Sequence, residues 1–103
     1  MAVMETISAK ELEWYAKIGS TLIIDLRPRK DYLRSHVPGA VNVPQGVFGN
    51  QLLGRKDETI ILYCERGALS MAVARQLEKK GYKTRSVVGG FRAYRGKKEA
   101  YND

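Results

Sequence analysis

Cys64 is the only cysteine of the chain, and its surroundings favour nucleophilic chemistry. It directly follows an apolar, β-branched segment, Thr59 to Tyr63, and precedes a short loop that contains Gly67. A cysteine between a strand and a helix can meet converging loop N–H groups and the positive end of the helix dipole. Both favour an anionic sulfur, and the thiolate is the nucleophilic form of cysteine. Glycine at position 67 allows the positive φ that such a loop requires.

The alternative for Cys64 is a buried, inert side chain, because free cysteine is among the most buried residue types. The order of strand, cysteine, glycine-containing loop and helix favours the reactive thiol. A persulfide on Cys64 would also be an anion, so the same N–H groups would stabilise it. Arg66 can add a positive charge for an anionic donor. Ser70 can either cap the helix or direct its hydroxyl to the sulfur.

The elements around Cys64 alternate between strand and helix patterns. Apolar runs at 21–25 and 59–63 are typical of strands buried on both faces, and shorter strands are predicted at 41–43 and 84–88. Helical segments are predicted at 8–17 (Ser8 and Glu11 form a capping box, and Gly19 ends it), 30–34, 45–53, 69–80 (ended by Gly81) and 91–95. The alternation indicates an α/β fold with a parallel sheet covered on both faces.

Ligands of such sheets bind beyond the carboxyl ends of the strands. Asp25 and Cys64 both lie at strand ends, so both are candidates for the site. Asp25 is either a general acid or the partner of Arg27 in a structural ion pair, and the ion pair is favoured. Trp14 and Tyr15 on the first helix are predicted to pack in the core and at its rim.

The length of 103 residues fits one domain, 1–103, with a core at about 5–95 and a polar tail, 96–103, that frays. One cysteine and one histidine exclude a disulfide framework and a four-ligand structural zinc site. The sequence shows neither a signal-peptide pattern nor an apolar run near the roughly 20 residues of a membrane helix. We therefore predict a cytoplasmic monomer that does not bind membranes.

The net charge of +7 is unevenly distributed. Residues 1–65 carry eight basic and eight acidic side chains, whereas residues 66–103 carry ten basic and three acidic ones and therefore the whole excess. No nucleic-acid-binding motif or interleaved aromatic pattern accompanies the basic half, so we do not predict nucleic-acid binding. A solvated basic face is the simpler interpretation, and an acidic substrate or an acidic sulfur-carrier protein stays open as a partner.

Three segments resemble, in the correct order, the motifs of the rhodanese-like domain family. Ile24-Asp25-Leu26-Arg27, then Tyr32 and the stretch 36–44, resemble its Asp-x-Arg strand end and its His-hydrophobic-Pro-Gly-Ala-hydrophobic-Asn-hydrophobic-Pro motif. Segment 63–70 resembles its active-site loop, Cys-x-x-Gly-x-x-Ser, and segment 88–94 resembles its closing Gly-Gly-x-x-x-aromatic motif. Together the segments span about residues 21–94, and the ordered set is more specific than any single motif.

The resemblance implies a five-stranded parallel sheet flanked by helices on both faces. It implies a sulfurtransferase without metal or cofactor, in which Cys64 takes sulfane sulfur from a small anionic donor such as thiosulfate, or from a persulfide. A thiophilic acceptor such as cyanide or a thiol would then receive the sulfur. Asp25 and Arg27 would support the site, and His36 would fix its loop rather than form a Cys–His dyad. The substrate-binding loop would comprise Glu65, Arg66, Gly67, Ala68, Leu69 and Ser70.

Two positions depart from the family pattern. Many active members have Arg or Thr where this chain has Leu69, so one polar contact to an anionic donor is missing and Arg66 is its candidate replacement. The closing motif often ends in Trp, and here Tyr94 provides the large aromatic side chain. The first departure bears on thiosulfate as the donor more than on sulfur transfer itself.

Two other functions fit the same fold. A cysteine phosphatase or arsenate reductase needs an arginine five intervening residues after the cysteine, to bind the oxyanion. Counted from Cys64, that position is Ser70, so the arginine is missing and this function is disfavoured. A non-catalytic binding or regulatory module of the same family is the other alternative, but such modules often lose the cysteine. The presence of Cys64 with Gly67 favours the enzyme, and sulfur uptake by the thiol distinguishes the two.

Overall fold

The computed structural model describes residues 4–101, which form a five-stranded, wholly parallel sheet with helices on both faces. The spatial strand order is β1-β5-β4-β2-β3. The strands are β1 Met4–Ile7, β2 Leu22–Asp25, β3 Val41–Asn42, β4 Thr59–Tyr63 and β5 Lys83–Val87. The helices are α1 Ala9–Ile18, α2 Arg29–Arg34, α3 Ala68–Lys79 and α4 Gly90–Ala93, with a 3₁₀ turn at Pro44–Gly46. The predicted fold class is thus confirmed.

The central strand β4 divides its side chains between two hydrophobic clusters. Ile61 and Tyr63 pack into the cluster that contains residues of α1 and α2, whereas Ile60, Leu62 and Cys64 pack into the cluster beneath α3. This follows from the two-residue period of a strand, which sends successive side chains to opposite faces. Cys64 therefore lies on the α3 side of the sheet.

The helix ends agree with the signals in the sequence. Ser8 caps α1 in a complete capping box with Glu11, and Gly19 closes the helix in the left-handed conformation. Helix α3 begins at Ala68 after Gly67 and ends at Lys79, with Gly81 at φ 98° just beyond. The longest helix within residues 4–101 is α3, and none of them has the length and apolar character needed to cross a bilayer.

Strand β1 was not predicted from the local pattern. It lies at the sheet edge, where it pairs with β5 from Met4–Thr84 to Ile7–Val87. Two of its four residues, Glu5 and Thr6, are exposed, so it lacks the apolar run that marks β2 and β4. An edge strand with polar side chains gives little hydrophobic signal.

The predicted helix at 45–53 is wrong. The segment forms the 3₁₀ turn and a series of turns, and Gln45 has φ 57°. Its N–H donates to the carbonyl of Leu26 rather than to a helical partner. Pro44 and the glycines at 46 and 49 favour turns over a continuous helix.

The prediction of a fraying tail is wrong for residues 96–101, and residues 102–103 lie outside the described part. Glu99 forms an antiparallel bridge with His36 through two hydrogen bonds of 2.8 and 2.9 Å. The ring of Tyr101 stacks on His36 at 5.2 Å, and the backbone N–H of Tyr101 donates to the carbonyl of Leu33.

The prediction that Trp14 packs in the core is also wrong, because its side chain is exposed. Its neighbour Tyr15 does pack against the core.

Candidate functional site

Cys64 follows the last residue of β4 and precedes the loop that enters α3. Its side chain is buried, and its Sγ accepts hydrogen bonds from two backbone N–H groups, of Gly67 at 3.1 Å and of Ser70 at 3.3 Å. Such donors stabilise negative charge on the sulfur more than they stabilise a neutral thiol. The loop between Cys64 and Ser70 thus curves around the sulfur as a cradle of donors.

Gly67 allows this curvature. Its φ is 110°, a conformation that side chains with a Cβ rarely adopt. A Cβ at this position would lie 3.2 Å from the N of Gly89 and 3.4 Å from the O of Val87. The backbone angle therefore favours glycine here, and a Cβ would in addition be tight against the N of Gly89.

Two backbone carbonyl groups at the start of the loop accept hydrogen bonds from N–H groups of α4. The carbonyl of Cys64 accepts from Phe91 N–H at 2.8 Å, and that of Glu65 accepts from Arg92 N–H at 3.1 Å. Gly90, at φ 59°, contacts this backbone so closely that a Cβ would collide with Cys64 and Glu65. The sequence analysis placed this glycine in the closing Gly-Gly motif and did not predict its role in positioning the loop.

Further N–H groups around the cradle are available to a ligand. Those of Arg66, Ala68 and Leu69 have no hydrogen-bond acceptor among residues 4–101. Two of them belong to the first turn of α3, where N–H groups lack intrahelical partners and the helix dipole is positive. The loop therefore offers donors both to Sγ and to an anionic group next to it.

Ser70 contributes through its backbone rather than its hydroxyl. Its Oγ donates to the carbonyl of Gly67 at 3.1 Å and lies 2.8 Å from the Oγ of Ser86 on β5. Neither predicted role of the hydroxyl, helix capping or contact with the sulfur, is observed. The buried Ser70–Ser86 pair instead anchors the first turn of α3 to the sheet, and Ser86 was not predicted from the sequence.

Asp25 and Arg27 form a buried ion pair at the carboxyl end of β2. Arg27 Nη2 lies 2.8 Å from Asp25 Oδ2, the same oxygen accepts from the Tyr63 hydroxyl at 2.7 Å, and Arg27 stacks 3.9 Å over the ring of Phe91. Burial works to lower the pKa of Arg27, but the hydrogen bond and charge of Asp25 outweigh it and raise the pKa. Burial, with the charge of Asp25, raises the pKa of Tyr63. The structural interpretation of Asp25 and Arg27 thus agrees with the geometry.

Glu65 modifies the charge at the cavity. Its Oε1 lies 3.6 Å from Arg27 Nη1, and its side chain is half-exposed. The guanidinium of Arg27 is therefore partly neutralised on both sides, by Asp25 from within and by Glu65 from the loop. A small dianion entering the cavity would meet this carboxylate as well as the N–H donors.

A cavity of about 310 Å³ opens above Cys64. Six of the nine predicted site residues line it, while Gly67, Ser70 and Asp25 are buried and do not line it. Its lining is Leu26, Arg27, Pro28, Gln45, Cys64, Glu65, Arg66, Ala68 and Leu69. Apolar surface next to a thiol and N–H donors suits a sulfur-bearing ligand with an anionic end.

Two other cavities lie away from Cys64. The larger, of about 780 Å³, lies between α1 and the C-terminal tail, and none of its lining residues is a cysteine, serine, threonine or histidine. His36 lines the other, and its Nδ1 lies 2.7 Å from the carbonyl of Tyr32, on whose ring it stacks at 3.9 Å. His36 therefore contacts the backbone of its own loop, and neither of these two cavities is lined by a cysteine.

Comparison with known proteins agrees with this geometry. A family profile described as "Rhodanese-like domain" matches residues 8–97. The rhodanese-like domain protein of Staphylococcus aureus, a crystal structure, superimposes with a TM-score of 0.83 at 25% identity, over 96% of this chain and 100% of that one. The fold, the loop and the family profile therefore coincide over nearly the whole described chain.

Curated relatives are similar over shorter shares of their length. The tRNA sulfurtransferase of Desulfurococcus amylolyticus is 38% identical over 77 residues, which cover 75% of this chain but only 15% of that protein. The Bacillus subtilis protein YtwF is 30% identical over 81 residues, which cover 78% of this chain and 79% of YtwF. This chain therefore corresponds to a small part of the first protein and to most of the second.

Proposed function

This chain belongs to the rhodanese-like domain family, and we propose that it is a sulfurtransferase in which Cys64 carries a sulfane sulfur as a persulfide. The observation that carries the proposal is the pair of backbone N–H groups, of Gly67 and Ser70, on Cys64 Sγ. These donors contact the sulfur of the nucleophile itself, so the proposal requires no proton-accepting side chain beside it.

In the first half-reaction, the Cys64 thiolate attacks the outer sulfur of the donor. With thiosulfate, the new S–S bond forms as the donor S–S bond breaks, and sulfite leaves with the bonding pair. The enzyme then carries a persulfide anion, so the total charge is unchanged. The N–H groups of Arg66, Ala68 and Leu69, which are without acceptors among residues 4–101, would bind the charge on the outer sulfur or on the leaving group.

In the second half-reaction, a thiophilic acceptor attacks the outer sulfur of the persulfide. Cyanide leaves as thiocyanate, or a thiolate leaves as a persulfide, and Cys64 leaves the transition state as the thiolate. The negative charge returns to Sγ, to which the N–H groups of Gly67 and Ser70 donate hydrogen bonds. The same donors therefore serve both half-reactions without rearrangement, which lowers the reorganisation each step requires.

The lining of the cavity favours a persulfide over thiosulfate as the donor. Leu69 presents an apolar side chain at the mouth, and Glu65 brings a carboxylate to 3.6 Å from Arg27. A dianion is disfavoured by that carboxylate, whereas a persulfide with one negative charge or none meets less repulsion. Thiosulfate is thus expected to load the enzyme slowly.

The test is intact mass spectrometry of the purified protein after incubation with thiosulfate and, separately, with cysteine persulfide. We expect a gain of one sulfur atom with each, faster with the persulfide, and its loss as thiocyanate on addition of cyanide. Cys64→Ser is the matched control, because serine is nearly isosteric and leaves the loop N–H groups in place. Sulfur uptake by Cys64→Ser, or failure of both donors to load the wild type, would reject the enzyme in favour of a binding module.

A further inference from the structure

A second groove lies beside the cavity of Cys64, between α3 and the turn from β5 to α4. Its volume is about 430 Å³, and it is open to solvent along its length. The lining residues are Arg66, Gly67, Ala68, Met71, Ala72, Arg75, Val88 and Gly89. The first three belong to the loop that surrounds Cys64, whereas the sulfur transfer proposed above does not use the other five.

The charge of the groove is positive and is not compensated. Arg66 and Arg75 are exposed, and neither has a carboxylate within 4.0 Å among residues 4–101. The lining includes no aspartate or glutamate. By contrast, Arg27 and Arg85 each have a carboxylate partner. An uncompensated pair of guanidinium groups is the element that would pair with carboxylates of a partner.

The floor between the arginines is apolar. Met71 and Ala72 come from the exposed side of α3, and Val88, with 56% of its surface exposed, comes from the end of β5. Methionine adapts its shape to different partners and is common at binding surfaces. An apolar floor between two cations fits a segment with one apolar side chain flanked by acidic ones.

The groove lies next to the cavity of Cys64. Arg66 and Ala68 line both, so the two share a wall formed by the loop before α3 and the first residue of that helix. A chain segment lying in the groove would therefore bring a sulfur-bearing residue at its end close to the cavity of Cys64. This adjacency distinguishes the groove from the other basic surface of residues 66–103.

We propose that this groove docks an acidic segment with a central apolar residue, belonging to a partner protein that exchanges sulfane sulfur with Cys64. The inference rests on the proposed function and names its macromolecular donor or acceptor class. An RNA would pair with the arginines but would leave Met71 and Val88 without apolar contact. The lining also lacks an aromatic ring on which a base could stack.

Sulfur transfer from the docked partner to Cys64 needs no reactant other than the persulfide of the partner. The Cys64 thiolate attacks the outer sulfur of a protonated cysteine persulfide on the partner, and the S–S bond of the partner breaks. The partner leaves as a thiolate, the proton stays on the transferred sulfur, and Cys64 becomes the persulfide. No oxidant or reductant is required, and the reverse reaction returns sulfur to a partner thiol.

The test uses three synthetic peptides of equal length, each with a central apolar residue and a cysteine persulfide at the C-terminus. The residues on either side of the apolar residue are aspartate and glutamate in the first peptide, serine in the second and lysine in the third. Free cysteine persulfide is the fourth donor. The loading of Cys64 is followed by intact mass spectrometry, and kcat/KM is compared among the wild type, Arg75→Glu and Lys10→Glu. Lys10→Glu changes the net charge by the same amount as Arg75→Glu. Lys10 is exposed on α1, on the opposite face of the sheet from the groove, so it serves as the control.

We expect the wild type to prefer the acidic over the neutral peptide by about three- to tenfold at low ionic strength. Arg75→Glu should abolish this preference, Lys10→Glu should keep it, and free cysteine persulfide should load all three proteins equally. Retention of the preference in Arg75→Glu, or its equal loss in Lys10→Glu, would overturn the docking surface. Competition by a short RNA that is lost in Arg75→Glu would assign the groove to nucleic acid instead. Failure of free cysteine persulfide would reject the proposed function itself.

Discussion

The backbone N–H of Phe91 donates a 2.8 Å hydrogen bond to the carbonyl oxygen of Cys64. This bond joins the start of α4 to the residue that carries the nucleophile, and Gly90 lies directly against the same backbone. Turning the Cys64 carbonyl toward α4 leaves the N–H groups of the loop to face the sulfur. The shape of the donor cradle therefore depends on a contact from the far end of the chain.

Gly90→Ala tests this dependence. A Cβ would strain the backbone at φ 59° and collide with backbone atoms of Cys64 and Glu65, which have no flexible end to move aside. We expect a loss of about 2–4 kcal/mol in the free energy of unfolding and at least a tenfold slower sulfur loading of the folded protein. Gly19→Ala is the control, because Gly19 has φ 74° with nothing within 4 Å of a Cβ. That variant should lose only about 1 kcal/mol and load normally, and equal effects of the two substitutions would contradict the prediction.

The sequence predicted those strands well whose consecutive residues are buried on both faces of the sheet. Strand β4, Thr59–Tyr63, agrees with its prediction because four of its five residues are buried, so both faces of the strand require apolar side chains. The edge strand β1, with burial on one side only, gave no comparable pattern. The tail was misjudged for a related reason: its order comes from the bridge to His36 and the stacking of Tyr101, which are tertiary contacts of a polar segment.

The candidate site was predictable where the chemistry is local. Cys64, Gly67 and the start of α3 are neighbours in sequence, and their spacing alone indicates a strand–loop–helix turn. The contacts of Ser86 and Tyr63 were not predictable, because their partners lie elsewhere in the chain: Ser86 is 16 residues from Ser70, and Tyr63 is 38 from Asp25. A small or polar residue gives no sign in the sequence of which backbone or hydroxyl it will meet.

Ser70 and Ser86 should act as a coupled pair in stability. Ser86→Ala leaves the buried Ser70 hydroxyl with the Gly67 carbonyl as its one partner, and we expect a loss of about 1–2 kcal/mol. Ser70→Ala should cost a similar amount, and the double variant should lose less than the sum of the two by at least about 0.5 kcal/mol. Urea unfolding of the four proteins measures the cycle. Additive losses would mean that the hydroxyl pair does not anchor α3.

Glu65→Gln should increase the use of thiosulfate. The substitution removes a carboxylate 3.6 Å from Arg27 Nη1, at the mouth of the cavity, and so reduces repulsion of a dianion. We expect kcat/KM for thiosulfate to rise about three- to tenfold at low ionic strength and the gain to shrink in high salt. Glu58→Gln is the matched control, since Glu58 pairs with Arg55 on the surface at 3.1 Å. A decrease in Glu65→Gln would indicate that the carboxylate assists the donor rather than repels it.

Leu69→Arg should act in the same direction by adding a cation. Leu69 lines the cavity with 39% of its surface exposed, so an arginine there can reach solvent and the donor without being buried. We expect kcat/KM for thiosulfate to rise by about threefold or more, with little change for cysteine persulfide. Leu53→Arg, on an exposed side chain that does not line the cavity, gives the same change in net charge. Equal gains in the two variants would assign the effect to overall charge.

The buried hydroxyl of Tyr63 should make stability depend on pH in the alkaline range. Burial raises the pKa of Tyr63 above its ordinary value, and the charge of Asp25 and the hydrogen bond to it add to the effect. The unfolded chain loses this proton from about pH 10 while the folded chain keeps it. Stability is therefore unaffected by this group below pH 10 and falls above it by up to about 1.4 kcal/mol per pH unit.

Tyr63→Phe removes this contribution to the pH dependence of stability, and it also removes the hydrogen bonds of the hydroxyl. At pH 8 the variant should be about 1–3 kcal/mol less stable than the wild type, because Asp25 loses a donor and the Val37 N–H loses its acceptor. The difference between the two proteins should narrow as pH rises above 10, since the wild type then loses stability faster. Burial also raises the pKa of Tyr32 to about 12, and this contribution is common to both proteins and cancels in the difference. Urea unfolding between pH 8 and pH 11.5 measures it, and a constant difference over that range would show that the Tyr63 hydroxyl is not held protonated by the fold.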